Sequence, residues 1–193
     1  MKLTRHEHAC LELTHDGSTL IIDPGSFTDP VQVTDVAAVV ITHEHPDHWT
    51  AEHLSRIAEA NPGVRMIGPA GVAAAASAFA IETVADGDTV TVGQFTLRFF
   101  GALHAEIHRS IPLIDNVAVL VNDTLYYPGD SYTIPFGVEV DTLATPAGAP
   151  WLKIGEVMDF VEAVKPKRAF PTHDMTLSEA GKAMSNGRLA AVT

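Results

Sequence analysis

The tightest constraint on this chain is the run Thr42-His43-Glu44-His45-Pro46-Asp47-His48-Trp49, with three histidines and an aspartate within six residues. It follows directly on Ala37-Ala38-Val39-Val40-Ile41. A short apolar run rich in β-branched residues reads as a buried strand. The polar side chains therefore sit where a central strand leaves its sheet, a usual place for a site in an open α/β layer. Side chains alternate faces along extended backbone, so His43 and His45 point the same way and can share one metal ion. Pro46 cannot continue a strand ladder, and it turns the chain so that Asp47 and His48 face a second position nearby. Imidazole nitrogens with a carboxylate oxygen suit zinc, and manganese or iron with less preference.

The pattern His43-x-His45-x-Asp47-His48 resembles the metal-binding signature of the metallo-β-lactamase superfamily, and counterparts of that family's remaining ligands occur in order. They are His104 in Gly101-Ala102-Leu103-His104, Asp130 in Pro128-Gly129-Asp130-Ser131, and His173 in Pro171-Thr172-His173-Asp174. Asp23, ending Leu20-Ile21-Ile22-Asp23, matches the family's early strand-end aspartate. The resemblance runs from Asp23 to His173. It implies an α/β fold, the four-layer αβ/βα sandwich of two similar halves, with two divalent ions at one edge. It implies that His43, His45 and His104 hold one ion, that Asp47, His48 and His173 hold the other, and that Asp130 bridges both. Asp23 is then a support of the ligand loop that does not touch metal.

The chemistry implied by that resemblance is hydrolysis. A hydroxide shared between the ions attacks an ester, lactone, amide or phosphoester, and Asp47 orients it besides ligating. The ions are the only cofactor, zinc being expected before manganese or iron. In its compact length the chain resembles small bacterial metal-dependent hydrolases related to L-ascorbate-6-phosphate lactonase, although that enzyme's substrate determinants are not matched residue by residue. An oxidoreductase reading competes. Persulfide dioxygenases share the H-x-H-x-D-H pattern but use one iron held by two histidines and an aspartate. A metal-stabilised, non-catalytic protein is disfavoured, because closed structural zinc sites need four ligands and not seven.

Composition narrows the partners. A formal net charge of −12 and a pI near 5.1 argue against a nucleic-acid backbone as the main partner, since phosphate binding needs clustered Lys and Arg. An anionic small-molecule substrate stays compatible, because two cations would make the pocket locally positive. One cysteine, Cys10, excludes an intrachain disulfide framework. The absence of an apolar signal core or a membrane-length apolar run predicts a cytoplasmic protein without a membrane partner. A homo-oligomer is left open. The 193 residues suit one domain spanning residues 1–193.

Along the chain, residues 2–14 and 19–23 read as two or three strands around the turn His15-Asp16-Gly17-Ser18. His6 and His8 share one strand face there but lie outside the family motif, so no ligand role is expected of them. Residues 26–35 read as loop. Thr50 caps a helix through Ala60, stopped by Asn61-Pro62-Gly63, with His53 as a surface residue on it. A strand over 64–68 and an alanine-rich helix over 70–79 follow, then strands at 82–85, 89–92 and 94–100. The second half repeats the plan loosely. Strands at 116–121 and 124–127 lead to Asp130, a strand at 140–144 precedes a helix over 151–164, and a strand at 168–171 delivers His173. A helix over 177–184 closes the chain.

The substrate-facing candidates are fewer. His108 lies four residues past His104, on a loop expected to pass near the ions, and is assigned proton donation to a leaving group. Arg109 or Lys153 are candidates for holding an anionic group, and Trp151 for lining the site.

Overall fold

The computed structural model describes residues 1–31 and 34–193; Gln32 and Val33, within the expected 26–35 loop, lie outside the described residues. Its strands form two six-stranded sheets. In the first, β1 (Lys2–Arg5), β2 (Leu11–His15) and β3 (Ser18–Ile22) run antiparallel. Then β4 (Val36–Val40), β5 (Arg65–Gly68) and β6 (Ile81–Thr83) add on in parallel. The second sheet repeats this. β7 (Thr89–Val92), β8 (Phe95–Phe100), β9 (Ala118–Val121) and β10 (Leu125–Tyr127) alternate, and β11 (Thr142–Pro146) and β12 (Arg168–Thr172) are parallel to β10.

The layers follow from side-chain alternation. Leu20 and Ile22 of β3 and Val119 and Val121 of β9 meet between the sheets, while Ile21 and Leu120 face outward. Strands covered on both faces read as continuous apolar runs, and each fully buried Leu, Ile or Val contributes about 1.5–3 kcal/mol. The outward residues of the first sheet pack on α1 (Ala51–Ala60) and α2 (Ala70–Ala75) through Leu54, Ile57 and Val72. Those of the second pack on α3 (Ile154–Val164) and α4 (Glu179–Ala190) through Val157, Phe160, Val161 and Leu189. The result is the expected four-layer αβ/βα sandwich. Among the described residues, no helix is long and apolar enough to cross a membrane.

Several boundaries differ from expectation, each for a local reason. The stretch 2–14 is broken at residues 6–10, where His6 N–H bonds the Cys10 carbonyl at 3.0 Å and His8 turns to φ +58°. The turn at Asp16 and Gly17 has φ of +46° and +78°, the positive pair of a two-residue hairpin. α2 stops at Ala75, after which Phe79 packs back onto the α1–α2 core. The expected 140–144 strand sits two residues later, as β11. α3 begins only at Ile154, which leaves Trp151 on the preceding loop, and α4 starts beyond Leu177 and runs on to Ala190.

The pairing directions bring one set of strand ends together. β3 and β4 are parallel and β2 is antiparallel to them, so the turn before β2 lies at the edge where β3 and β4 end. β8, β10, β11 and β12 share a direction through the antiparallel β9. Their C-terminal ends therefore gather at one edge of the second sheet.

Candidate metal centre

Each predicted ligand follows a strand that ends at one of these two edges. The loop 42–49 follows β4, His104 follows β8, Asp130 follows β10 and His173 follows β12. The donor atoms of His43, His45 and His104 lie within 4.8 Å of one another, as do those of Asp47, His48 and His173. Asp130 stands between the groups, with Oδ1 3.3 Å from His48 Nε2 and Oδ2 3.4 Å from His104 Nε2 and 3.1 Å from His173 Nε2. The fold thus brings together all seven residues singled out in the sequence.

What aims the imidazoles is a ring of oxygen acceptors behind them. His48 Nδ1–H donates to Asp23 Oδ2 at 2.7 Å, and His173 Nδ1–H donates to the Gly148 carbonyl at 2.8 Å. His104 Nδ1–H donates to the Ala105 carbonyl. The Thr42 hydroxyl donates to Asp23 Oδ2, which leaves its oxygen to accept from His43 Nδ1–H at 3.1 Å. A proton held on Nδ1 leaves the Nε2 lone pair free to ligate. The Nε2 atoms of His48, His104 and His173 and Asp130 Oδ1 are buried without a hydrogen-bond partner. Buried polar atoms are rarely left so. A cluster of orphaned nitrogens around carboxylate oxygens is the donor set that fits a divalent transition metal.

The loops carrying these groups are tightly held. Asp23, fully buried, also accepts the Thr42 backbone N–H at 2.8 Å, which makes it the hub of the ligand loop as expected. Asn116 accepts the Asp130 N–H at 3.0 Å and donates to the Pro128 carbonyl at 3.0 Å. Asp23, His173 and His8 all have positive φ, at +49°, +55° and +58°. Such conformations cost on the order of 1–3 kcal/mol each and cluster at functional sites.

Charge is divided unevenly among the groups. Burial holds the pKa of His43 well below the ordinary histidine range and lowers that of His45, and neighbouring imidazoles add to both. For His48 burial acts the same way but is outweighed by the Asp130 and Asp23 carboxylates, which hold its pKa well above that range. Burial of His173 is likewise outweighed by Asp130 and Asp47, and its pKa rises to about 9. Burial disfavours the charge on Asp47 and Asp130, yet the facing imidazoles hold both below the usual carboxylate range. In the polypeptide alone, protons stand where cations would sit.

Two residues outside the predicted ligands belong here, one of them, Trp151, already a candidate for lining the site. His8, fully buried, places Nε2 3.1 Å from Asp47 Oδ2, and its donor atom groups with those of Asp47, His48 and His173. The sequence reading puts it inside a strand with no ligand role, whereas it lies in the turn between β1 and β2. The available signal was topological, because a hairpin turn before β2 must reach the edge where β3 ends. His6, its supposed face-mate, bonds Glu12 instead. Trp151 donates its indole N–H to Asp130 Oδ2 at 2.9 Å. His53 is a correction of a different kind. It is buried, not on the surface, and its Nε2 bonds the Thr28 carbonyl at 3.2 Å. His108 is exposed, with Nδ1 2.7 Å from Ser110 Oγ on its own loop. Arg109 and Lys153 are also exposed.

Beside the cluster lies a cleft of about 420 Å³ bounded by Leu103, Glu106, Tyr132, Trp151 and Glu156. Trp151 belongs both to its wall and to the support of Asp130.

Comparison with known proteins accords with this geometry. The profile of the β-lactamase superfamily domain matches residues 2–173. Protein Rv0786c of Mycobacterium tuberculosis is 37% identical, over 100% of this chain and 93% of its own length. A Parabacteroides distasonis protein with the provisional name metal-dependent hydrolase superposes with a TM-score of 0.78 at 19% identity, over 95% of this chain and 86% of that one. CmlA, a diiron β-hydroxylase from Streptomyces venezuelae, superposes with a TM-score of 0.66 at 18% identity, over 95% of this chain and 46% of that one.

Proposed function

The chain belongs to the metallo-β-lactamase superfamily, and from that membership we propose that it is a metal-dependent hydrolase working through two divalent ions, zinc before manganese or iron. The observation that carries the reading is that His48, His104 and His173 are pinned at Nδ1 while their Nε2 atoms converge on Asp47 and Asp130. In this reading His43, His45 and His104 hold one ion, Asp47, His48 and His173 the other, and Asp130 both.

Divalent ions supply Lewis acidity and, at neutral pH, hydroxide from water whose pKa falls from 15.7 towards about 7. The side chains do the rest. Asp23, the Thr42 hydroxyl and the two carbonyls fix imidazole orientation, so little reorganisation is needed during reaction. Among the described residues the contacts of the Asp47 carboxylate fall on Oδ2, which leaves Oδ1 to orient the attacking water and take its proton. His108 is assigned proton delivery to the leaving group, which requires its exposed loop to turn from Ser110. The cleft beside Trp151 is the place for the rest of a small-molecule substrate. Among the described residues its walls bring two carboxylates, Glu106 and Glu156, and no Lys or Arg. That favours a neutral or cationic substrate portion there over the anionic one expected from the charge on the ions.

The oxidoreductase alternative draws on CmlA, which shows that a protein of this fold is a diiron hydroxylase, and on the mononuclear iron dioxygenases. Two histidines and an aspartate suffice for the latter, and the fuller donor set here favours the hydrolase. Elemental analysis after saturation with zinc or manganese tests the proposal. Two ions per chain are expected, with most of both lost in Asp130→Ala, and hydrolysis of nitrophenyl esters that a chelator abolishes. One ion at saturation would overturn the dinuclear reading. Oxygen consumption with glutathione persulfide by iron-loaded protein, without hydrolysis by the zinc or manganese form, would overturn the hydrolase.

A further inference from the structure

The turn at residues 6–10 brings to the cluster a histidine that the hydrolase reading does not use. His8 is fully buried, and its ring lies 3.9 Å from that of His173 between centroids. Its backbone carbonyl and its two ring nitrogens each have one partner. The backbone carbonyl accepts the His173 N–H at 2.8 Å, Nδ1 faces the Met175 N–H at 3.3 Å, and Nε2 lies 3.1 Å from Asp47 Oδ2. An ion pair of 2.5 Å between Arg5 and Asp174 fastens the same turn to the chain leaving β12.

These contacts decide between two roles. Proximity to Asp47, His48 and His173 alone would make His8 a further metal ligand. A backbone N–H can only donate, so Nδ1 must present its lone pair to Met175, and in neutral imidazole the proton then sits on Nε2. A protonated Nε2 has no lone pair for a metal, but it has a hydrogen to give a carboxylate. We infer that His8 is a positioning residue for Asp47: through an Nε2–H set by the Met175 backbone, it holds Oδ2 of that carboxylate in place beside His173. The inference rests on the metal role of Asp47 and adds that the orientation of Asp47 comes from the N-terminal hairpin, not from the ligand loop.

Two amide substitutions separate the contacts. In His8→Gln the amide nitrogen reaches the position of Nε2 and can still donate to Asp47. In His8→Asn the amide oxygen reaches the position of Nδ1, keeping the Met175 contact and losing Asp47. Both lose the ring; Gln keeps one more methylene, while Asn suits the φ of +58° better, so a tautomer measurement stands beside the affinities. Competition with a chromophoric chelator should show wild-type protein taking up two zinc ions. His8→Asn should weaken one of them by about 10–100-fold, the range for groups that orient a ligand, and His8→Gln should stay within a few-fold of wild type. Long-range ¹H–¹⁵N spectra of the metal-free protein should show His8 as the Nε2–H tautomer.

Equal weakening in the two variants, or an Nδ1–H tautomer, would overturn the inference while wild-type uptake of two ions kept the metal reading. Loss of a whole ion in His8→Gln would make His8 a ligand and overturn it as well. A wild type that binds no ion would overturn the metal reading and this inference with it.

Discussion

Trp151 donates its indole N–H to Asp130 Oδ2 at 2.9 Å, from a loop of the second half that follows β11. Asp130 is buried and the other described contacts of its carboxylate are imidazoles, so the indole is the contact that sets the carboxylate plane from the cleft side. Trp151→Phe keeps a ring near His104 and Tyr132, at 5.7 and 5.3 Å in the wild type, and removes the donor. Metal affinity should fall by about 10–100-fold. A hydrogen bond to a charged group contributes about 1.5–3 kcal/mol, so the melting temperature should also drop by several degrees. Chelator competition and calorimetry check both. Unchanged affinity would confine Trp151 to the cleft wall.

Asp23 accepts from the Thr42 N–H, the Thr42 hydroxyl and His48 Nδ1–H, and is fully buried. Asp23→Asn turns an acceptor into a donor facing two donors. Removing one member of a buried pair costs about 3–5 kcal/mol, and metal affinity should weaken by about 10–100-fold with both ions still bound. Denaturant titration and metal analysis measure these. A metal–oxygen contact at Asp23 in a crystal structure would refute its supporting role.

Gly25 meets the ligand loop so closely that a Cβ there would overlap the Asp47 carbonyl. Backbone cannot swing aside as a side chain can. Gly25→Ala should therefore displace residues 47 and 48 and lower metal uptake along with stability. Gly155→Ala, within α3 with nothing near its Cβ, is the control. It should be neutral or raise stability by up to about 1 kcal/mol. A Gly25→Ala protein with full metal content would disprove the packing argument.

Protonation of the metal-free protein should leave a pH signature. His48 and His173 have folded pKa values above the unfolded one, that of His173 at about 9. Their contribution is fully present below the unfolded value near 6.5 and is lost as pH rises through the folded value. With chelator present, stability should thus decline between about pH 6.5 and 9. Added zinc should flatten that decline, because the cation replaces the protons. Urea melts across this window test it, and a chelated protein that grows more stable towards pH 9 would contradict it.

His108 tests the leaving-group assignment. His108→Ala should slow hydrolysis of substrates with poor leaving groups while sparing activated nitrophenyl esters, since only the former need a proton donor. An equal loss on both would remove His108 from the chemistry and leave the metal mechanism standing.

The sequence by itself determined what is local in this protein. Continuous β-branched runs specify strands buried on both faces, Thr50 and Asn61-Pro62-Gly63 bound a helix, and His43, His45, Asp47 and His48 fall at a strand end within one turn of chain. Those signals depend on neighbouring residues, so periodicity and turn chemistry expose them. The distant candidates His104, Asp130 and His173 are legible because their strand-end contexts match a family pattern. Only the tertiary structure decided the places of His8 and Trp151. The role of His8 depends on where an antiparallel hairpin returns relative to β3, and that of Trp151 on which loop of the second half folds over Asp130. His8 lies 39 residues from Asp47 and 165 from His173, and their juxtaposition is made by sheet pairing. Pairing is a long-range choice, set by how whole faces bury against each other, and no short stretch of sequence records it.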